Sequence, residues 1–392
     1  MNDASPSSHL LRLRPAGSET MLAVFDDAVV LRHALAFEAR LAEAQAAEGV
    51  IAGEDAAAIA SACGSIPIDP AEIADEAALA GTLAIPLVKR LRAELSGSAA
   101  AALHKGATSQ DVADTVLACQ IREAGALLQA DLARTVGALT VLARRHASTP
   151  AIGRTLLQDA LPIGFGLRIA HWTRGIEDAR RRLAAETRSA AALQFGGAAG
   201  TRMGLDGKGR LIGRRLASAL GLAEAPPWQS RRDAIAGLAS ALGIVIGMLG
   251  KFARDVSLLA QNAVGEAREP AIAGRGGSSA MAHKRNPTGC QVALSASLRA
   301  PGLVAGILAG LPTEEERGLG GWQAEGPALA DLFLLAAGSA AAMAPVADGL
   351  EIDEAAIARN LAAAGIGTDI GESASLVADL LEDLPPAAQD GD

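Results

Sequence analysis

Residues 274–290 hold the densest set of reactive side chains: Gly-Arg-Gly-Gly-Ser-Ser-Ala-Met-Ala-His-Lys-Arg-Asn-Pro-Thr-Gly-Cys. Glycines at 274, 276 and 277 free the backbone for movement and for positive φ. The hydroxyls of Ser278 and Ser279 precede an imidazole, an ammonium, a guanidinium and an amide at His283, Lys284, Arg285 and Asn286. Pro287 then stands where a helix can begin. Hydroxyls, cations and an amide on a mobile loop at a helix start suit one task, holding a carboxylate while a proton moves. A plain glycine-rich linker would not gather so many different functional groups.

Two other segments offer related chemistry. In His104-Lys105-Gly106-Ala107-Thr108-Ser109-Gln110-Asp111, Thr108 with Asp111 three residues on resembles a capping box, with Asp in place of the usual Glu or Gln. Capping accounts for Thr108 and Asp111 but gives His104, Lys105 and Gln110 nothing to do, whereas a helix start preceded by His and Lys is an anion site. Gly153-Arg154-Thr155-Leu156-Leu157-Gln158 adds a cation and two neutral hydrogen-bonding side chains in a turn, weak evidence by itself. The carboxylates of Glu314-Glu315-Glu316-Arg317 and Trp322-Gln323-Ala324-Glu325 read as a solvated loop and helix cap rather than an acid–base pair. His33 reads as a packing or surface residue. Other templates fail: Lys284 is not followed by Ser or Thr as in a phosphate loop, and there is no Gly-x-Ser-x-Gly elbow or His-Glu-x-x-His helix.

Long helices must position these segments. From 109 to 147 there is no proline, and Leu117, Ile121, Ala124, Leu128, Leu132, Val136 and Leu139 recur at steps of three and four. Phe165, Ile169, Trp172, Ile176, Ala179 and Leu183 repeat the pattern. Ile235, Leu238, Leu242, Val245, Leu249, Phe252, Val256 and Leu259 alternate three and four as a heptad seam. Such helices exceed the globular average of about 11 to 12 residues, and each seam needs a partner, so an all-α bundle with self-association is expected. Shorter helices precede it: one capped by Asp26-Asp27 and running towards Gly49, one from Asp55 to near Gly64, and one over 83–95 with Pro86 in its first turn. Helices over 350–364 and 373–381 follow, so the expected regions are 1–105, 106–345 and 346–392.

Composition narrows the class. The chain has 392 residues, half of them hydrophobic, with 2% aromatic residues and no tyrosine, which makes a large aliphatic core. A net charge of −9 argues against general binding to nucleic acid or an anionic membrane, so an anionic substrate needs a local cationic pocket. Three scattered cysteines (Cys63, Cys119, Cys290) fit reduced cytoplasmic thiols and show no metal-ligand spacing. The first twenty residues lack the apolar run of a secretory signal. The most apolar stretch, 234–250, falls short of the ~20 residues of a membrane span, so a soluble protein is expected.

Ser278-Ser279-Ala280-Met281-Ala282-His283-Lys284-Arg285-Asn286-Pro287 resembles the signature loop of the fumarase/aspartase superfamily, with Ala282 where proline is commonest. Residues 104–115 resemble its first signature and 153–158 its second, so the resemblance spans most of the chain. The sequence is most similar to the carboxymuconate cycloisomerase branch: it has His-Lys-Gly-Ala-Thr-Ser-Gln-Asp, Leu83-Ala84-Ile85-Pro86-Leu87-Val88-Lys89 and Trp322-Gln323-Ala324-Glu325. Lyases of the superfamily usually place histidine after Arg-Thr in the second segment; Leu156 stands there, as in the cycloisomerases. The resemblance implies a homotetramer with sites shared between subunits, a tricarboxylate substrate, and no metal or organic cofactor. It implies Ser279 as the proton-transfer residue, with Lys284, Asn286 and His104 also catalytic. Substrate binding would fall to Thr108, Ser109, Gln110, Arg154, Thr155, Gln158, Ser278, Met281, His283 and Arg285. A fumarate-releasing lyase and a non-catalytic protein keeping the fold are the alternatives.

Overall fold

The computed structural model describes residues 10–277, 280–281 and 284–384. Short helices open the chain: α1 (Leu10–Leu13), α2 (Glu19–Val24), α3 (Asp27–Ala47), α4 (Gly53–Ser65), α5 (Pro70–Ala80), α6 (Ala84–Ala93) and α7 (Gly97–Ala102). Side-chain caps set several starts: Asp26 accepts from the Ala28 amide at 2.9 Å and Asp69 from that of Ala71 at 2.8 Å. Then come α8 (Ser109–Arg145), strands β1 (Pro150–Thr155) and β2 (Gln158–Gly164), α9 (Phe165–Ala190), α10 (Gly209–Leu220) and α11 (Asp233–Leu259). Strand β3 (Ala267–Arg268), α12 (Thr288–Ala309), α13 (Gly321–Asp348), β4 (Glu351–Ile352), α14 (Glu354–Ala364) and α15 (Ser373–Leu380) complete it.

The expected all-α class holds, with two small antiparallel pairs, β1–β2 and β3–β4, that helical periodicity does not announce. α8 packs on α9 and α13, while α11 packs on α9, α12 and α13. The seam read from the sequence is the interior of this bundle: Leu117 to Leu139 on α8 and Ile235 to Leu259 on α11 are buried along their predicted positions. Close approach of α9 to the end of α8 depends on Gly166, where an added Cβ would lie 2.2 Å from the Ala143 carbonyl oxygen.

One expectation is corrected. The apolar stretch at 234–250 belongs to a 27-residue helix, and α8, α11, α12 and α13 are all long and apolar enough to cross a membrane by length and composition. In α11 and α13, 61% and 67% of the most apolar window is buried against other helices. In α12 only 22% is, and Leu298 stands 79% exposed, which leaves an apolar face uncovered in the single chain.

Candidate active site

The start of α8 is held from several sides. Ahead of it, His104 adopts φ 63°, and its Nδ1 lies 2.6 Å from Oε1 of fully buried Glu38 on α3. Burial works against the charged imidazole, but the Glu38 carboxylate outweighs it and the His104 pKa is raised. Gln45 on α3 donates to the Lys105 carbonyl at 2.6 Å. Thr108 is the extended N-cap residue, and the predicted box is present in that Asp111 Oδ2 accepts from the Thr108 amide at 3.1 Å. Asp111 does more than cap. It is fully buried and also accepts from the amides of Gly196 (2.9 Å) and Gly197 (2.8 Å) and from Gln194 Nε2 (2.9 Å). Burial pushes its pKa up to about 6, against the pull of these donors.

Ser109, the first helical residue, lines a cleft of about 310 Å³ with Thr82, Leu83, Asp114, Trp322 and Gln323. Gln110 does not share it. Its side chain is fully enclosed and its Nε2 donates to Asp114 Oδ2 (3.2 Å) and the Gln229 carbonyl (3.0 Å), so the expected substrate contact becomes an internal one. One turn on, Asp114 receives both terminal nitrogens of Arg232 at 2.8 and 2.9 Å. The same arginine, 2% exposed, donates through Nε to Glu325 at 2.9 Å and lies over the Trp228 ring at 4.7 Å. Glu325 is therefore not part of a solvated cap as expected; it is 1% exposed and ion-paired. Glu314 does act locally, accepting from the Leu319 amide at 3.0 Å. Arg317 reaches back from this loop to donate to Thr108 Oγ1 at 2.7 Å and to the Ala198 carbonyl at 3.1 Å.

The second segment is a β-hairpin. Thr155 and Gln158 pair across a two-residue turn, Leu156–Leu157, with φ of 51° and 65°. Left-handed values at both central positions make a tight hairpin turn that normally takes Asn-Gly, and leucine there is strained. Both leucines project into solvent, 96% and 75% exposed. Arg154 is not a free cation: its two terminal nitrogens donate to the buried Glu266 carboxylate at 2.9 and 2.6 Å. Asn360 donates to the same carboxylate at 3.0 Å. Burial works against the charged Glu266, yet these donors keep its pKa lowered. Arg154, expected to bind substrate, fastens the hairpin to Glu266 in the segment that follows α11.

Around the signature loop, Ser278, Ser279, Ala282 and His283 lie outside the described residues. Gly274 and Gly276 take the expected positive φ, 77° and 75°. The Asn286 amide donates to the Gly276 carbonyl at 2.8 Å and its side-chain nitrogen to the Gly277 carbonyl at 3.1 Å, which closes the loop on itself. Lys284 and Met281 are exposed. Arg285 differs from expectation: it is bound to Glu351 at 3.0 and 3.2 Å and to the Glu269 carbonyl at 2.7 Å. Arg285, with Arg268, holds the Glu351 carboxyl down at about 2. Glu269 in turn accepts from the Gly289 and Cys290 amides at 3.2 and 2.7 Å, so a carboxylate caps the helix that Pro287 introduces.

The three segments do not meet within one chain. Arg232, the N-cap of α11, binds Asp114 beside the first segment. At the other end of α11 the Glu266 amide donates to the Leu259 carbonyl at 3.1 Å, and residues 266–269 hold both Arg154 and Arg285. The 27 residues of α11 put about 40 Å between the two ends. Sequence reasoning found the segments but missed Arg232, Glu266 and Arg317. Arg231-Arg232-Asp233 directly before a long apolar helix was the one available sign of a buried ion pair.

A family model described as a lyase matches residues 18–302. The chain belongs to the fumarase/aspartase lyase superfamily. It is 46% identical over 348 residues to a 3-carboxy-cis,cis-muconate cycloisomerase of Bradyrhizobium diazoefficiens, covering 88% of this chain and 77% of that protein. A protein of the same name from Pseudomonas aeruginosa is 45% identical over 345 residues, covering 87% and 75%. The crystal structure of the 3-carboxy-cis,cis-muconate lactonizing enzyme from Pseudomonas putida matches with a TM-score of 0.85 and 40% identity, covering 90% of this chain and 80% of that one.

Proposed function

We propose that this protein is a 3-carboxy-cis,cis-muconate cycloisomerase, a cytoplasmic enzyme of protocatechuate degradation that works as a homotetramer without a cofactor. The names of its relatives support the reading, and Leu156 carries it. At the tip of the hairpin, where related lyases present a histidine, this chain presents two exposed leucines that can neither give nor take a proton. In the reaction a carboxylate oxygen adds across a double bond of the diene, and the neighbouring carbon, α to another carboxylate, gains a proton. The product is 4-carboxymuconolactone. Charge accumulates on that α-carboxylate as an aci-carboxylate, and donors fixed in advance are worth about 2.7 to 4 kcal/mol each. Lys284 and Asn286 take this role, and an ammonium about 4 Å from the carboxylate contributes on the order of 4 kcal/mol at an effective dielectric of 20.

Ser279 transfers the proton, with Ser278 and His283 beside it on the loop and His104 as binder or auxiliary acid. Thr108 and Ser109 at the helix start, and Thr155, Gln158 and Met281, bind the remaining carboxylates and the carbon frame. The distance of about 40 Å between segments supports sharing, because only neighbouring copies can bring the first segment to the other two. The regions 1–105, 106–345 and 346–392 divide the labour, the middle one supplying every catalytic segment except His104.

The test is loss of diene absorbance when the purified protein meets 3-carboxy-cis,cis-muconate. Ser279→Ala should lower kcat by about 10²- to 10⁴-fold, the usual reach of proton-transfer catalysis, with the assembly size unchanged in gel filtration. No reaction at high enzyme concentration, with turnover of adenylosuccinate or argininosuccinate instead, refutes the assignment. Near-normal turnover by Ser279→Ala refutes the role of Ser279.

A further inference from the structure

We infer that Arg317 is a carboxylate-binding residue of the site at the start of α8, a proposal that rests on the tricarboxylate reading above. Its Nη2 donates to Thr108 Oγ1 at 2.7 Å and to the Ala198 carbonyl at 3.1 Å, so the guanidinium sits on the first turn of a 37-residue helix. A hydroxyl that accepts from a guanidinium keeps its own proton for another acceptor. Arg317 and Thr108 together therefore present a cation and an O–H donor at the positive end of the helix.

The other arginines at the three segments are neutralised by protein carboxylates: Arg154 by Glu266, Arg232 by Asp114 and Glu325, and Arg285 by Glu351. Among the described residues no carboxylate lies within ion-pair distance of Arg317. Its Nε is buried and has no hydrogen-bond partner. In a chain of net charge −9, an unpaired guanidinium beside the helix start is the local cation that a tricarboxylate needs.

The nearby acids do not fill this role. Asp111 is taken up by the amides of Thr108, Gly196 and Gly197 and by Gln194, and Asp114 by Arg232. The same loop is anchored independently of Arg317, since Thr313 Oγ1 donates to the Ser230 carbonyl at 3.2 Å. Removing the guanidinium therefore takes away charge without releasing the loop. A bound carboxylate would meet Arg317 and the Thr108 hydroxyl, one residue before the Ser109 that lines the cleft.

Arg317→Gln and Arg317→Lys, made in the full chain, test this. With 3-carboxy-cis,cis-muconate, Arg317→Gln should raise KM ten- to a hundredfold while the melting temperature of the free protein stays within a degree or two. Citrate, a tricarboxylate probe that does not react, should raise the melting temperature of the wild type and do so far less in Arg317→Gln. Arg317→Lys should restore part of both effects. An unchanged KM and citrate response in Arg317→Gln overturns the proposal. So does a fall in free-protein stability and kcat with KM and the citrate response intact, the pattern of a residue that only braces the loop. If the wild type does not turn over the muconate, the functional assignment fails, and the citrate comparison still decides whether Arg317 binds carboxylates.

Discussion

Replacing Arg232 by methionine should destabilise this protein more than almost any other single side-chain change. The guanidinium is buried between α8, α11 and α13, with Asp114 on one side and Glu325 on the other. Methionine keeps much of the volume and the contact with Trp228, and removes only the charge and its donors. Two enclosed carboxylates are then left facing one another. Deleting one member of a buried ion pair costs about 3 to 5 kcal/mol, and here two partners are stranded at once, so the upper half of that range is expected. At roughly 1.2 °C per kcal/mol, the conversion for a chain of 392 residues, the melting temperature should fall by about 5 to 6 °C.

The loss should also depend on pH. Burial already raises the pKa of both carboxyls against the opposing pull of Arg232. Without the arginine they rise further, and a carboxyl whose folded pKa exceeds its unfolded one adds stability at low pH that disappears as pH rises. Calorimetry and dye-monitored melting at one protein concentration, at pH 5 and pH 8, would show a smaller deficit at pH 5. The triple variant Asp114→Leu, Arg232→Met, Glu325→Leu should recover much of the loss, since an apolar trio leaves no charge uncompensated. A deficit below about 1 kcal/mol, or one equal at both pH values, refutes this account of the buried triad.

Two other outcomes follow from the same geometry. The Asp111 carboxyl rises from 3.8 to about 6 on folding, so it stabilises at low pH and loses about 3 kcal/mol of that contribution as pH passes through 6, at 1.36 kcal/mol per unit. The stability gap between wild type and Asp111→Asn should narrow by that amount between pH 4 and 7, and a constant gap in denaturant titrations would contradict it. At the hairpin tip, Leu156→Asn with Leu157→Gly relieves left-handed strain of roughly 1 to 2 kcal/mol per residue. Melting should move upward while kcat/KM falls; a variant both more stable and fully active would mean that the leucines have no place in the site.

Much of the scaffold was readable because a helix that buries one face must repeat its apolar residues every three to four positions. The stripes of α8, α9 and α11 follow that rule, and their buried faces are the ones that periodicity assigns. The capping pair Thr108–Asp111 was readable for the same local reason, since its partners are three residues apart. The hairpin was not. The segment reads as a turn, but the strands on either side of Leu156–Leu157 are too short and too mixed to alternate visibly. The extent of the apolar helices was under-read, and apolar length alone cannot say whether lipid, solvent or another helix covers them.

The sequence by itself determined the reactive groups and the segments that carry them: the loop of 274–290, the helix start at 104–111 and the turn at 153–158. It did so because chemistry of this kind requires particular side chains close together along the chain. Only the tertiary structure decided which charges are available. Arg154, Arg232 and Arg285 look alike in the sequence to Arg317, yet the first three face the carboxylates of Glu266, Asp114 and Glu351, 66 to 118 residues away in the chain, and Arg317 faces a hydroxyl. An ion pair is set by distance in space, which residue order does not encode. For the same reason only the fold shows that α11 holds the segments about 40 Å apart, as a rigid helix fixes their separation at 1.5 Å per residue.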